Sequence, residues 1–188
     1  MKKGLLIVMS GPSGVGKGSV RSCFVKNPDL NLAFSVSMTS RERRPGETEG
    51  VDYYYVTRER FEQAIKDGEL LEWAEFVGNY YGTPKAYVDK LLNEGKNVLL
   101  EIEVEGAKQI MQKCPDALTI FITPPSIEEL ENRIRGRRTE PEEIVQQRLA
   151  KAIKEINYST QYQYAIVNND IQTAADIIAY IIKRNMEN

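Results

Sequence analysis

Hydrophobic positions fall along the chain in two alternating registers. Short apolar runs at "GLLIVMS" (4–10), "NVLLEIE" (97–103), "LTIFITPP" (118–125) and "YAIVNN" (164–169) read as buried strands. Between and around them, apolar residues recur at helical spacing near 16–26, 84–94, 105–113, 126–137, 141–157 and 171–186. Ser126, three residues before Glu129, forms a capping-box signature for the fourth of these helices, and Pro141 suits the first turn of the fifth. Strands that alternate with helices in this way predict a parallel α/β sheet flanked by helices.

The 33–83 region breaks that rhythm. "AFSVSMT" (33–39) reads as one strand, "DYYYV" (52–56) is aromatic and β-prone, and "LLEWAEFV" (70–77) alternates like a half-buried strand. A helix is predicted at "RERFEQAIKDG" (58–68), while "GNYYGTP" (78–84) has the composition of a turn. The region is predicted to form a small β-rich lobe inserted in the α/β core.

Composition narrows the chemistry. The 188 residues carry a net charge of −2, with 28% charged and 41% hydrophobic residues, as in an ordinary globular domain. No strong basic excess points to nucleic acid. Histidine is absent, which removes His-based triads and His metal sites and leaves carboxylates, Lys, Arg, hydroxyls and backbone groups. Phosphoryl transfer works with that inventory, because its catalysis is mostly positioning and charge stabilisation. Cys23 and Cys114 fit no C-x-x-C pair and read as free thiols of a reducing, cytoplasmic setting. The apolar run after Met1 is too short for a membrane span or a signal sequence.

"SGPSGVGKGSV" (10–20) supplies the candidate site. Gly11, Gly16 and Lys17 match G-x-x-x-x-G-K between a strand and a helix, where successive N–H groups and the helix N-terminus can hold phosphates. The next position, expected to carry a metal-binding hydroxyl, is Gly18, with Ser19 one place later. Two arginine clusters follow. One is Arg41, Arg43 and Arg44, with tyrosines 53–55 close behind; the other is Arg133, Arg135, Arg137, Arg138 and, further on, Arg148. Each is either solvated surface or a clamp on anionic oxygens, and the second cluster, gathered near a glycine, favours a closing clamp.

Six ordered stretches, "SGPSGVGKGS", "SVSMTSRERRPGETEGVDYYYV", "LLEWAEFVGNYYGTP", "LLEIEVEGAKQI", "FITPPSIEELENRIRGR" and "AIVNND", resemble the bacterial-type guanylate kinases, phosphate-loop enzymes that move a phosphoryl group from ATP to GMP. The resemblance implies an ATP-binding core (1–33, 84–125 and 151–188), a GMP-binding lobe (34–83) and a helical lid (126–150). ATP would lie on Gly11, Pro12, Ser13, Gly14, Val15, Gly16, Lys17, Gly18 and Ser19, with Asn168 near adenine. GMP would be held through its phosphate by Arg41, Arg44, Tyr53 and Tyr81. Its base would meet Glu72, Ser37 and Thr83, with Glu103 close by. Lys17, Arg41, Arg133, Arg137 and Arg148 are the implied catalytic set. Mg²⁺ would travel with ATP, supported by Ser19 and Glu101, in part through water. A carboxylate at Glu72 can accept from guanine N1–H and its 2-amino group, which adenine lacks.

This chain departs from the family in Thr83 for serine, Glu101 and Glu103 where aspartate is common, and Arg138 for a glycine of the lid. Two other readings were weighed: a catalytically silent kinase-like binding domain of scaffold proteins, and a kinase with another acceptor. Lys17 argues against the first and the Glu72, Ser37 and Thr83 set against the second. No nucleic-acid or membrane partner is expected, and a monomer and a homo-oligomer are both open.

Overall fold

The computed structural model describes residues 2–76, 78–136 and 141–187. Its first strand, β1 (Leu6–Ser10), is buried along its whole length. Leu6 and Val8 face one apolar layer and Ile7 and Met9 the other, as alternation along a strand covered on both faces requires. Four further strands complete a parallel sheet: β2 (Leu32–Phe34), β7 (Asn97–Glu101), β8 (Leu118–Thr123) and β9 (Tyr164–Val167), in the order β2-β7-β1-β8-β9. Intervening strands β3 (Ser37–Thr39), β4 (Tyr53–Tyr55), β5 (Leu70–Phe76) and β6 (Asn79–Pro84) form a second sheet in the order β4-β3-β6-β5, antiparallel except between β3 and β4.

Among the described residues seven α-helices accompany them: α1 (Lys17–Phe24), α2 (Arg58–Lys66), α3 (Lys85–Asn93), α4 (Val104–Lys113), α5 (Ile127–Gly136), α6 (Glu142–Ile156) and α7 (Ile171–Met186). Val20, Leu130, Ile134, Leu149 and Ile178 pack with Ile7 and Met9 on one face of the large sheet. Val88, Leu92, Val104 and Ile110 pack with Leu6 and Val8 on the other. Phe61 and Ala64 of α2 and Leu70 make a separate small core under the second sheet.

The structure departs from the sequence pattern at three places in the fold. Residues 33–39 are not one strand: the chain leaves the large sheet after Phe34, and Ser37 begins a strand of the small sheet. The run is β-prone throughout, so its pattern carries no mark of the change of sheet. "GNYYGTP" is not a turn beyond Gly78, because Asn79–Pro84 pairs along most of β5. Gly82 serves close approach: a Cβ there would lie 2.8 Å from the Glu72 carbonyl oxygen and 3.0 Å from the Phe61 ring. The Ser126 cap forms, its Oγ accepting from Glu129 N–H at 3.0 Å, but the Glu129 carboxylate turns to Arg133 instead of closing the box.

Candidate active site

The carboxyl ends of β1, β7 and β9 converge, the place where an open α/β sheet offers a crevice. Leaving β1, the chain runs through Gly11, Gly14 and Gly16, with φ of 153°, 86° and 95°, before α1 begins at Lys17. The Gly14 and Gly16 values are left-handed and strained for any other residue. A cavity of about 660 Å³ opens over this loop, lined by Gly11, Ser13, Lys17 and Ser19 and walled by Glu101 and Glu103.

Lys17 folds back so that Nζ donates to the carbonyls of Gly11 (2.5 Å) and Pro12 (3.2 Å). Burial lowers its pKa, and the carboxylates of Glu101, Glu155 and Glu103 oppose that shift. Glu101, at the end of β7, pairs with Arg21 Nε at 2.7 Å, and its Oε1 faces Gly18 closely enough that a Cβ there would stand 3.7 Å away. A bare position at 18 thus leaves room between α1 and a carboxylate. Ser19 is exposed beside it.

Glu103 is not part of the strand but the N-cap residue of α4, and it accepts from Lys151 at 2.9 Å. Lys151 also lies 3.7 Å from Glu155. Glu155 escaped the sequence reading. It is 8% exposed and lines the cavity over the loop, with a buried Oε2 that has no hydrogen-bond partner among the described residues. Burial raises its pKa against the pull of Lys151 and Lys17. The available signal was a carboxylate on the apolar face of α6, three residues after Ala152.

Asn168 is 2% exposed and braces the loop from the far side, Nδ2 donating to Val15 O at 2.8 Å. Its Oδ1 is buried and without a partner in the described structure. Arg133 is drawn to the same place, donating to Val15 O (3.4 Å) and Asn168 O (3.1 Å). Arg148 donates to Ser13 Oγ at 2.9 Å. Both arginines therefore reach the phosphate loop from α5 and α6. Arg137 and Arg138 lie outside the described residues.

A second cavity, about 320 Å³, shares the wall of Glu101, Ile102 and Glu103 and extends to Ser37, Tyr53, Glu72 and Tyr81 of the small sheet. Glu72 is 5% exposed, and its Oε1 accepts from Thr83 Oγ1 at 2.6 Å. Burial pushes its pKa up to about 6, while the Thr83 hydroxyl and Lys113 hold it down. At the outer end, Arg41 lies 5.5 Å from the Tyr53 ring centre, and Tyr53 meets Tyr81 edge-on at 5.9 Å. Arg44 sits in the same loop with its side chain in solvent.

Glu47, also missed from sequence, organises this end. It accepts from Arg41 (2.7 Å), the Arg44 backbone N–H (2.8 Å) and Tyr55 (2.8 Å). These bonds, Arg41's first, bring its pKa to about 2 and raise that of Arg41. The carboxylate rests where these three donors converge. Its sequence signal was weak, since Glu47 is one of three acids, with Glu49 and Asp52, between Arg44 and Tyr53.

A phosphate loop on a parallel sheet, sharing a carboxylate wall with a second pocket of tyrosine and glutamate that has Arg41 beside its Tyr53, defines a phosphate-loop kinase of a small phosphorylated acceptor. Comparison with known proteins makes this particular. The guanylate kinase family model matches residues 3–185. Guanylate kinase of Streptococcus pyogenes serotype M3 is 52% identical over 182 residues, 97% of this chain and 86% of that protein. The crystal structure of guanylate kinase from Anaplasma phagocytophilum covers all of this chain and 89% of its own, at TM-score 0.77 and 35% identity. The SH3-kinase fragment of tight junction protein 3 shares the fold alone, at TM-score 0.51 and 13% identity over 98% of this chain and 58% of that one. The chain belongs to the guanylate kinase family, and its activity is phosphorylation of GMP to GDP with ATP.

Proposed function

We propose that ATP places its phosphates in the loop of residues 11–19 and that GMP occupies the second cavity, so that donor and acceptor meet across the Glu101–Glu103 wall. The observation that carries this reading is that shared wall between the two cavities. Loop N–H groups and the N-terminus of α1 hold the donor phosphates, and Lys17 exchanges the Gly11 and Pro12 carbonyls for their outer oxygens. Arg41, Arg44, Tyr53 and Tyr81 take the GMP phosphate, with Glu47 giving way as it arrives. Glu72 accepts from guanine N1–H and the 2-amino group, Thr83 and Ser37 face the base, and Glu103 closes the pocket. dGMP, with the same base edge and phosphate, is a second acceptor.

An oxygen of the GMP phosphate then attacks the γ-phosphorus in line, and the bond to the bridging oxygen of ADP breaks. The attacking oxygen is already ionised, so no side chain need remove a proton. Arg133 and Arg148 stand at the loop to take up charge, and Arg137 is assigned with them by its place in the motif. The lobe (34–83) and lid (126–150) close over the cleft and exclude water.

Among the described residues no group of three carboxylates or thiols could hold a metal by itself. That donor set suits a Mg²⁺ carried by the ATP phosphates, with Glu101 and Ser19 supporting it. Bound there, the ion neutralises phosphate charge. No described helix is long and apolar enough to cross a membrane, and both cysteines are free thiols. A cytoplasmic location, with a place in purine nucleotide metabolism, is the reading these features favour.

Lys17→Met tests the division of labour. Transfer should fall by about 10³-fold, while GMP binding measured calorimetrically stays within about two-fold. Equal loss of both would overturn the assignment of Lys17 to the donor side.

A further inference from the structure

β5 is an edge strand of the small sheet, so one side of its backbone lacks a strand partner. Helix α4, which starts beside the catalytic wall, covers that side. Gln109 receives Trp73 N–H on Oε1 (3.2 Å) and donates from Nε2 to Trp73 O (2.7 Å). Lys113 donates to Leu71 O at 2.7 Å. The backbone is thus gripped on both sides of Glu72. Gly106, three residues before Gln109, lies on the same helical face. A Cβ at Gly106 would fall inside contact distance of Glu72 Oε2 and lie 3.0 Å from Cδ.

We propose that the Gly106, Gln109 and Lys113 face of α4 is a specificity-determining template for guanine, in which Gly106 is the notch that seats the Glu72 carboxylate. This rests on the reading of Glu72 as the residue that meets the guanine edge. All three are positioning residues, since they act through Glu72 and the strand that carries it. What a methyl at 106 must displace is the end of a side chain, so the helix survives and the carboxylate moves. Glu103 stands at the N-cap position of the same helix one turn earlier, so base selection and the catalytic wall share one element.

The test compares Gly106→Ala, Glu72→Gln, Glu72→Asp and the double variant Gly106→Ala/Glu72→Asp, with GMP and IMP as acceptors. IMP keeps N1–H and lacks the 2-amino group. Gly106→Ala should raise the KM for GMP by about ten-fold or more, lower the preference for GMP over IMP, and leave the KM for ATP within about two-fold. In the Glu72→Asp background the shorter arm clears the methyl, so adding Gly106→Ala should cost less than about two-fold. A purely structural glycine would cost the same in both backgrounds, and that additivity would overturn the proposal. So would wild-type discrimination in Gly106→Ala when Glu72→Gln has lost it, an outcome that leaves Glu72's role standing. Should Glu72→Gln itself discriminate like wild type, the reading of Glu72 fails and the template with it.

Discussion

If Glu72 meets the guanine edge as proposed, base recognition depends on pH, and Thr83→Val makes the link measurable. The carboxyl has an ordinary value of 4.5 and stands at about 6 in the folded chain, chiefly through burial. A folded value above the unfolded one means that the native state binds more protons between those limits. This group therefore costs the unliganded protein about 2 kcal/mol at neutral pH, relieved as pH falls through about 6 toward 4.5. On the proposed reading GMP would reverse the balance, because two guanine donors would favour the ionised carboxylate. Binding then releases a proton below pH 6, and the KM for GMP should be about ten-fold higher at about pH 5 than on its plateau.

The Thr83 hydroxyl, 2.6 Å from Oε1, favours the ionised form by about 1 kcal/mol more than the neutral one. Removing it in Thr83→Val should move the break in log KM upward by about one pH unit. Thr83→Ser, which keeps the hydroxyl, should leave the break in place. The assay is initial-rate ADP release at saturating ATP across about pH 5 to 8.5. The GMP phosphate titrates in the same range, so the readout is the difference between variants, in which that contribution cancels. Lys113 and Glu103, the other charged groups that act on Glu72, are unchanged in all three proteins. A break that stays put in Thr83→Val, or moves down, would refute this account.

Two further outcomes follow from the loop contacts. Glu47→Gln removes the charge that holds Arg41 in place, and the KM for GMP should change by about five-fold or more with the KM for ATP unaltered; a matching change in both would show Glu47 to be a general structural residue. Asn168→Ala deletes the bond to Val15 O and leaves that carbonyl with only the longer side-chain contact, from Arg133. It should cost about 1–3 kcal/mol in urea unfolding and raise the KM for ATP more than that for GMP, and an unchanged midpoint would contradict the bracing role.

What could be read in advance follows from how local each signal is. The phosphate loop was legible because an apolar strand, left-handed glycines and a helix start are neighbours in sequence. Glu72 and Thr83 came through the resemblance, and the cross-strand pairing of β5 with β6 brings them together. The break at 35–36 was hidden because its flanking residues are equally β-prone in either sheet. Gly82 read as a turn residue because its composition is the same whether glycine bends a chain or lets two layers touch. Glu155 and Glu47 were passed over because a carboxylate is ordinarily solvated, and only the fold shows one against the phosphate loop and the other among three donors. Arg133 was expected in the catalytic set, but its grip on Val15 and Asn168 depends on how α5 crosses the loop.

The most direct measurement is the acceptor profile of the purified protein with ATP and Mg²⁺, scored by ADP release. GMP should be used on the order of 10³-fold or more better than AMP, by kcat/KM, because a buried carboxylate without guanine's donors is left unpaired. ADP release with GMP no greater than in its absence, or AMP used as well as GMP, would contradict the account.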